Sequence, residues 1–110
     1  MAKYEKTING QFEKVVKKLE NDIGNSGISM KLVDESNQTI RDTKIAVRVY
    51  DKYFMRNGNR ASLSLTVVGN NSNIFISAIG AGGGQGVFWN FSLGAENDMV
   101  AIVRKSIDRM

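Results

Sequence analysis

Residues 80–86 read Gly-Ala-Gly-Gly-Gly-Gln-Gly. A glycine-rich turn can offer several backbone N–H groups to one phosphate. The spacing does not support that use. The stretch contains no G-x-G-x-x-G register, no Gly-Lys-Ser/Thr closes it, and an aromatic strand-like run follows it where a phosphate loop would open a helix. Two other readings stand. One is a plain hairpin or bulge. The other is a loop over a small-ligand pocket, with Gly82, Gly83, Gly84, Gln85 and Trp89 as its candidate residues. Trp89 sits among Val87, Phe88 and Phe91, which favours a core position over a stacking platform.

A second candidate is a basic stripe. Lys44, Arg48, Lys52 and Arg56 fall at alternate-face positions of one strand-like run, interleaved with Ala46, Tyr50 and Phe54. Residues 41–60 hold six cations and two acids, so this segment alone equals the net charge of +4. Cations interleaved with aromatics can hold a single strand by phosphate contact and stacking. Lys44, Arg48, Lys52 and Arg60 are the anion-binding candidates. The competing reading is a solvated sheet face whose cations discourage edge pairing.

The chain has no histidine and no cysteine. That removes Ser-His-Asp chemistry, thiol nucleophiles, disulfides and the usual zinc ligands. The carboxylates Asp34-Glu35 and Glu96-x-Asp98 lack an EF-hand spacing, and turn chemistry or helix-start charge accounts for them. A two-carboxylate hydrolase needs no histidine, but no spacing here suggests one. No catalytic residue, metal site or cofactor is expected, and the balance leans away from an enzyme.

These groups need elements to position them, and 110 residues suffice for one domain with one core. Residues 3–8 alternate as an edge strand. Asn9 is a candidate helix cap. Phe12, Val15, Val16, Leu19 and Ile23 then form one apolar helical stripe, with Gly24 as its stop. Alternation resumes at Ile28, Met30 and Leu32, and Asp34-Glu35-Ser36-Asn37 reads as a turn. Ile45, Val47 and Val49 alternate with Ala46, Arg48 and Tyr50; Leu63, Leu65 and Val67 alternate with Ser62, Ser64 and Thr66. Asn57-Gly58 signals a hairpin between these two runs. Residues 69–73 separate the second run from Ile74-Phe75-Ile76. Met99, Ile102, Val103 and Ile107 mark a final helix, basic at its end.

The expected fold is α+β: an antiparallel sheet of about five strands, with N-terminal and C-terminal helices on one face, in the order β-α-β-β-β-β-β-α. The order is similar to a shortened helix-grip arrangement, an analogy at fold level only. Ile45, Val47, Leu63 and Leu65 are expected on the dry face, and Lys44, Arg48, Ser62 and Ser64 on the wet one.

Several stretches also resemble one known family. They are Lys3-Tyr4-Glu5-Lys6-Thr7-Ile8-Asn9-Gly10-Gln11-Phe12, Ala46-Val47-Arg48-Val49-Tyr50, Gly58-Asn59-Arg60-Ala61-Ser62-Leu63, and Ser77-Ala78-Ile79 with the glycines after it. The family comprises small bacterial proteins, mostly Gram-positive, and is known as domain of unknown function 6054. The resemblance spans nearly the whole chain. It implies a complete, stand-alone single-domain protein and carries no activity or site residue.

The leading expectation is a non-enzymatic binding or interaction module, with a small apolar or amphipathic ligand between the sheet and the C-terminal helix. One alternative is a nucleic-acid or anionic-surface binder using the basic stripe. The other is a homo-oligomer joined by sheet edges or by residues 87–91. A charged N-terminus and the absence of any long apolar run predict no signal peptide and no membrane span. A cysteine-free chain suits a reducing compartment, so a cytoplasmic location is expected.

Overall fold

The computed structural model describes residues 2–54, 59–82 and 93–110. Its elements are β1 (Ala2–Asn9), α1 (Phe12–Gly24), β2 (Lys31–Ile40), β3 (Thr43–Phe54), β4 (Asn59–Asn70), β5 (Asn73–Gly82) and α2 (Leu93–Asp108). The strands form one antiparallel sheet in the order β1-β5-β4-β3-β2. Both helices lie on one face, so the architecture is the expected two-layer α+β fold. The strand-like run at 87–91 falls outside the described residues.

The core lies between helices and sheet. α1 contributes Val15, Val16, Leu19 and Ile23, and α2 contributes Met99, Val100, Val103 and Ile107. The sheet answers with Leu63, Leu65 and Val67 from β4, and Ile74, Ile76 and Ala78 from β5. Each is a position that the 3.6-residue or two-residue period turns inward. α1 enters this layer over Gly69. A methyl group there would meet Phe12 Cδ1 at 2.6 Å, so glycine lets the Phe12 ring rest on the strand. The amide of Gly10 donates to the Ser72 carbonyl at 2.9 Å and ties the helix entrance to the β4–β5 turn.

Three local expectations are corrected. Asn9 does not cap α1: it ends β1, paired with Asn73, and the N-cap is Gln11, which makes no side-chain cap bond. Asp34–Asn37 is not a turn. β2 runs straight through it, because pairing with β3 supplies ladder bonds that outweigh local turn preference, and a bulge between Leu32 and Asp34 takes up the misfit. The turn falls instead at Arg41-Asp42, with Arg41 at φ 53°.

The third correction concerns the faces of β3. Register pairs Ala46 with Val67, Arg48 with Leu65 and Tyr50 with Leu63. Ala46, Arg48 and Tyr50 therefore face the helices, and Ile45, Val47 and Val49 face away. Both sets contain apolar residues, so alternation alone could not orient the strand. The buried leucines of β4 decide it, because cross-strand partners share a face.

The two helices are also joined by a polar contact. Ser106, fully buried on α2, donates its hydroxyl to Asp22 of α1, which also accepts from Lys18 Nζ at 3.0 Å. The Ser106 bond and then the Lys18 bond hold the Asp22 carboxyl below its usual range. A carboxyl depressed in the folded state stabilises above its unfolded pKa, about 3.9, and loses that contribution as pH falls through the folded value. Wild type should therefore be more stable than Asp22→Asn at pH 6, and this gap should be narrower at pH 3. Denaturant midpoints of both proteins at the two pH values test this; a constant gap would contradict it.

Candidate interaction face

The basic candidates do not form one surface. Lys44 is paired with Glu13 of α1, and Arg60 Nη2 lies 2.9 Å from Asp51 Oδ2. Lys44, Arg48 and Lys52 belong to the helix side of β3, whereas Arg60 pairs across the sheet with Tyr53 on the opposite side. Arg48 is only 6% exposed. Its Nε lies 2.8 Å from Glu20 Oε2 and 3.2 Å from Glu35 Oε1, and its Nη1 donates to the Val47 carbonyl at 3.0 Å. It is a strut between α1 and β2, lying under the helix layer and not on a wet face. Burial first, then the Glu20 charge, pushes the neighbouring Tyr50 phenol above its usual pKa.

The loop candidates divide differently. Gly82 ends β5 and lines a shallow cleft of about 250 Å³ with Asp51, Arg60, Ala61, Ser62 and Ala81. Gly83, Gly84, Gln85 and Trp89 lie outside the described residues. Beneath α2, Leu63, Leu65, Ile76, Ala78, Met99 and Val103 are all almost completely buried against one another.

A larger cleft, about 670 Å³, opens where the entrance of α1 meets two hairpin tips. Gln11, Glu13, Arg41, Asp42, Lys44 and Asn71 contribute to its walls. Its two cations are matched by two carboxylates, and the Lys44 bond holds the Glu13 carboxyl below its usual range. The cleft is polar, open and balanced in charge. Among the described residues no group of three or more acidic side chains is placed to hold a metal.

The face of the sheet away from the helices is different in kind. Pairing aligns its residues in rows from β1 to β2. One row is Lys3, Ile79, Ser64, Val49 and Asp34. The next is Glu5, Ser77, Thr66, Val47 and Ser36. A third is Thr7, Phe75, Val68, Ile45 and Gln38. Across β5, β4 and β3 these three rows carry no charge. Phe75 and Ile79 are each 37% exposed, with Ile45, Val47, Val49 and Val68 half-buried beside them. Ile40, at 59%, extends the apolar surface at one end; at the other, Asp51 and its ion pair with Arg60 separate it from Tyr53, at 53%.

No described element covers this face. Contiguous exposed apolar surface of this kind marks interaction sites in folded proteins. Sequence reasoning missed it by assigning Ile45 and Val47 to the core. A signal was present: Ile45-Ala46-Val47 and Ile74-Phe75-Ile76 are unbroken apolar runs, the pattern of strands covered on both sides.

The model of the family DUF6054, described as a family of unknown function, matches residues 1–110. No curated protein matches the chain. Among solved structures, TTHA0849 from Thermus thermophilus is similar at 11% identity and a TM-score of 0.37, over 98% of this chain and 94% of that one. The di-domain ARO/CYC StfQ from the steffimycin biosynthetic pathway is similar at 12% identity and a TM-score of 0.32. That match covers 99% of this chain, which spans 45% of the other's length. No helix among the described residues is long and apolar enough to cross a membrane.

Proposed function

We propose, for a chain that belongs to the DUF6054 family, a non-enzymatic interaction module that works as a homodimer, with the open sheet face of each copy packed on that of the other. The supporting observation is the uncharged, partly apolar middle of that face, where β3 and β5 carry unbroken apolar runs that suit cover on both sides.

The dimensions suit a second copy. Five strands about 4.8 Å apart and ten residues long give a footprint of about 800 Å². A stable interface buries about that area per partner. Two such sheets can pack face to face about 10 Å apart, as in a sandwich, with Ile and Val side chains between them. A single-stranded nucleic acid has less support, because Lys44, Arg48 and Arg60 are each neutralised by a carboxylate. A ligand under α2 also has less support, because the described core there is filled.

Light scattering on the intact chain should return twice the 12.2 kDa monomer mass at micromolar concentration. Val47→Glu and Phe75→Glu should each return the monomer with an unchanged circular dichroism spectrum. Each places a charge where the partner excludes water, at two symmetry-related points, and should weaken the dimer about 100-fold or more. A monomeric wild type at about 100 μM, or a dimer indifferent to both substitutions, would overturn the reading.

A further inference from the structure

We infer that the two-fold axis of this dimer runs close to the direction of β4, so that Lys3 of one protomer meets Asp34 of its partner at both rims of the interface. The inference rests on the dimer reading above and adds its geometry.

The strand order β1-β5-β4-β3-β2 is symmetric in position about β4. A two-fold axis along β4 turns each row back on itself end for end. β5 then lies on the partner's β3, and β1 on the partner's β2. In the third row Phe75 meets Ile45 of the second copy, with Val68 on the axis. In the first row Ile79 meets Val49, with Ser64 on the axis. In the middle of the axis stand Ser64 and Thr66, which are small enough for the sheets to close there, with Ser62 and then Arg60, tied to Asp51 at 2.9 Å, toward one end. The larger apolar residues flank them on both sides. An axis laid across the strands would set β1 on β1 and Lys3 near Thr7, with no charge to meet.

Within the three rows the charge lies at the rims. Lys3 ends the first row on β1 and Asp34 ends it on β2. Among the described residues of one protomer Lys3 has only a loose contact, with Glu5 at 3.8 Å. Among the described residues no cation lies within ion-pair distance of Asp34, whose Oδ1 accepts only the Glu35 amide, at 2.8 Å. The axis along β4 brings these two groups together twice, once at each rim. Aligned sheets cross at about 30°, which shifts the rims by a few ångströms, within reach of a lysine side chain.

The absence of cysteine makes the geometry directly readable. Ser62→Cys and Val68→Cys, made separately, lie about 20 Å apart along β4. With the proposed axis, each should form a covalent dimer with a short bis-maleimide. With an axis across the strands, neither would lie near its own copy. Charge exchange supplies the second readout. Lys3→Glu and Asp34→Lys should each weaken the dimer about 10-fold, and the double variant should return to within about 3-fold of wild type. Suppose wild type is a dimer that Val47→Glu dissociates, but neither cysteine variant cross-links to itself and the double variant stays weak. The axis is then wrong while the dimer stands. A wild-type monomer removes both.

Discussion

Leu65→Ala should lower the unfolding free energy by about 3 kcal/mol. Leu65 is 1% exposed at the centre of β4, the middle strand of the sheet. Its neighbours come from every side of the core: Ala78 across on β5, Arg48 across on β3, and the helix layer above. Truncation removes the transfer free energy of the lost carbons and leaves a cavity that a sheet tied on both sides cannot close. Domains of this size are stable by about 5–15 kcal/mol, so one methyl-bearing branch would account for a large part of the whole. The urea midpoint should fall with the slope unchanged. A loss below about 1 kcal/mol would mean that β4 is not the centre of the core.

Glu20→Ala combined with Glu35→Ala should cost about 3 kcal/mol, more than the sum of the two single changes. Either carboxylate alone can still balance the Arg48 guanidinium, at 2.8 Å from Glu20 or 3.2 Å from Glu35. With both gone, a cation under the helix layer keeps only carbonyl oxygens as partners, at 3.0 Å from Val47 and 3.4 Å from Ser36. Arg48→Met should cost much less than the double carboxylate change. Glu20 and Glu35 are partly exposed and can turn to water, whereas Arg48 cannot. Thermal or urea unfolding of the four variants tests the asymmetry; equal losses for Arg48→Met and the double variant would refute it.

Leu65 and Arg48 stand opposite each other on adjacent strands, and they mark where sequence reasoning succeeded and where it stopped. Leu65 was legible as core, because Leu63, Leu65 and Val67 alternate with Ser62, Ser64 and Thr66 and only the first set is apolar. The stripe of α1 was legible for the same reason. Arg48 was not, because its burial depends on Glu20 and Glu35, which are 28 and 13 positions away in the chain and reach it only once helix, hairpin and sheet are assembled.

By itself the sequence determined the kind and order of the described elements, the two-layer class, and the exclusion of histidine and thiol chemistry. Those follow from local periods and from composition, which need no partner. The tertiary structure alone decided which side of β3 faces the helices, where β2 turns, and what Lys44, Arg48 and Arg60 are paired with. Each depends on register, and register is set by strands far apart in the chain. The glycine-rich loop and the basic stripe stood out first because unusual composition is visible one residue at a time. The open face of Val47, Phe75 and Ile79 is assembled from β3 and β5, two strands that meet only through β4. The unbroken apolar runs Ile45-Ala46-Val47 and Ile74-Phe75-Ile76 hinted that each strand has two apolar sides, but only the assembled sheet shows that they share one open face.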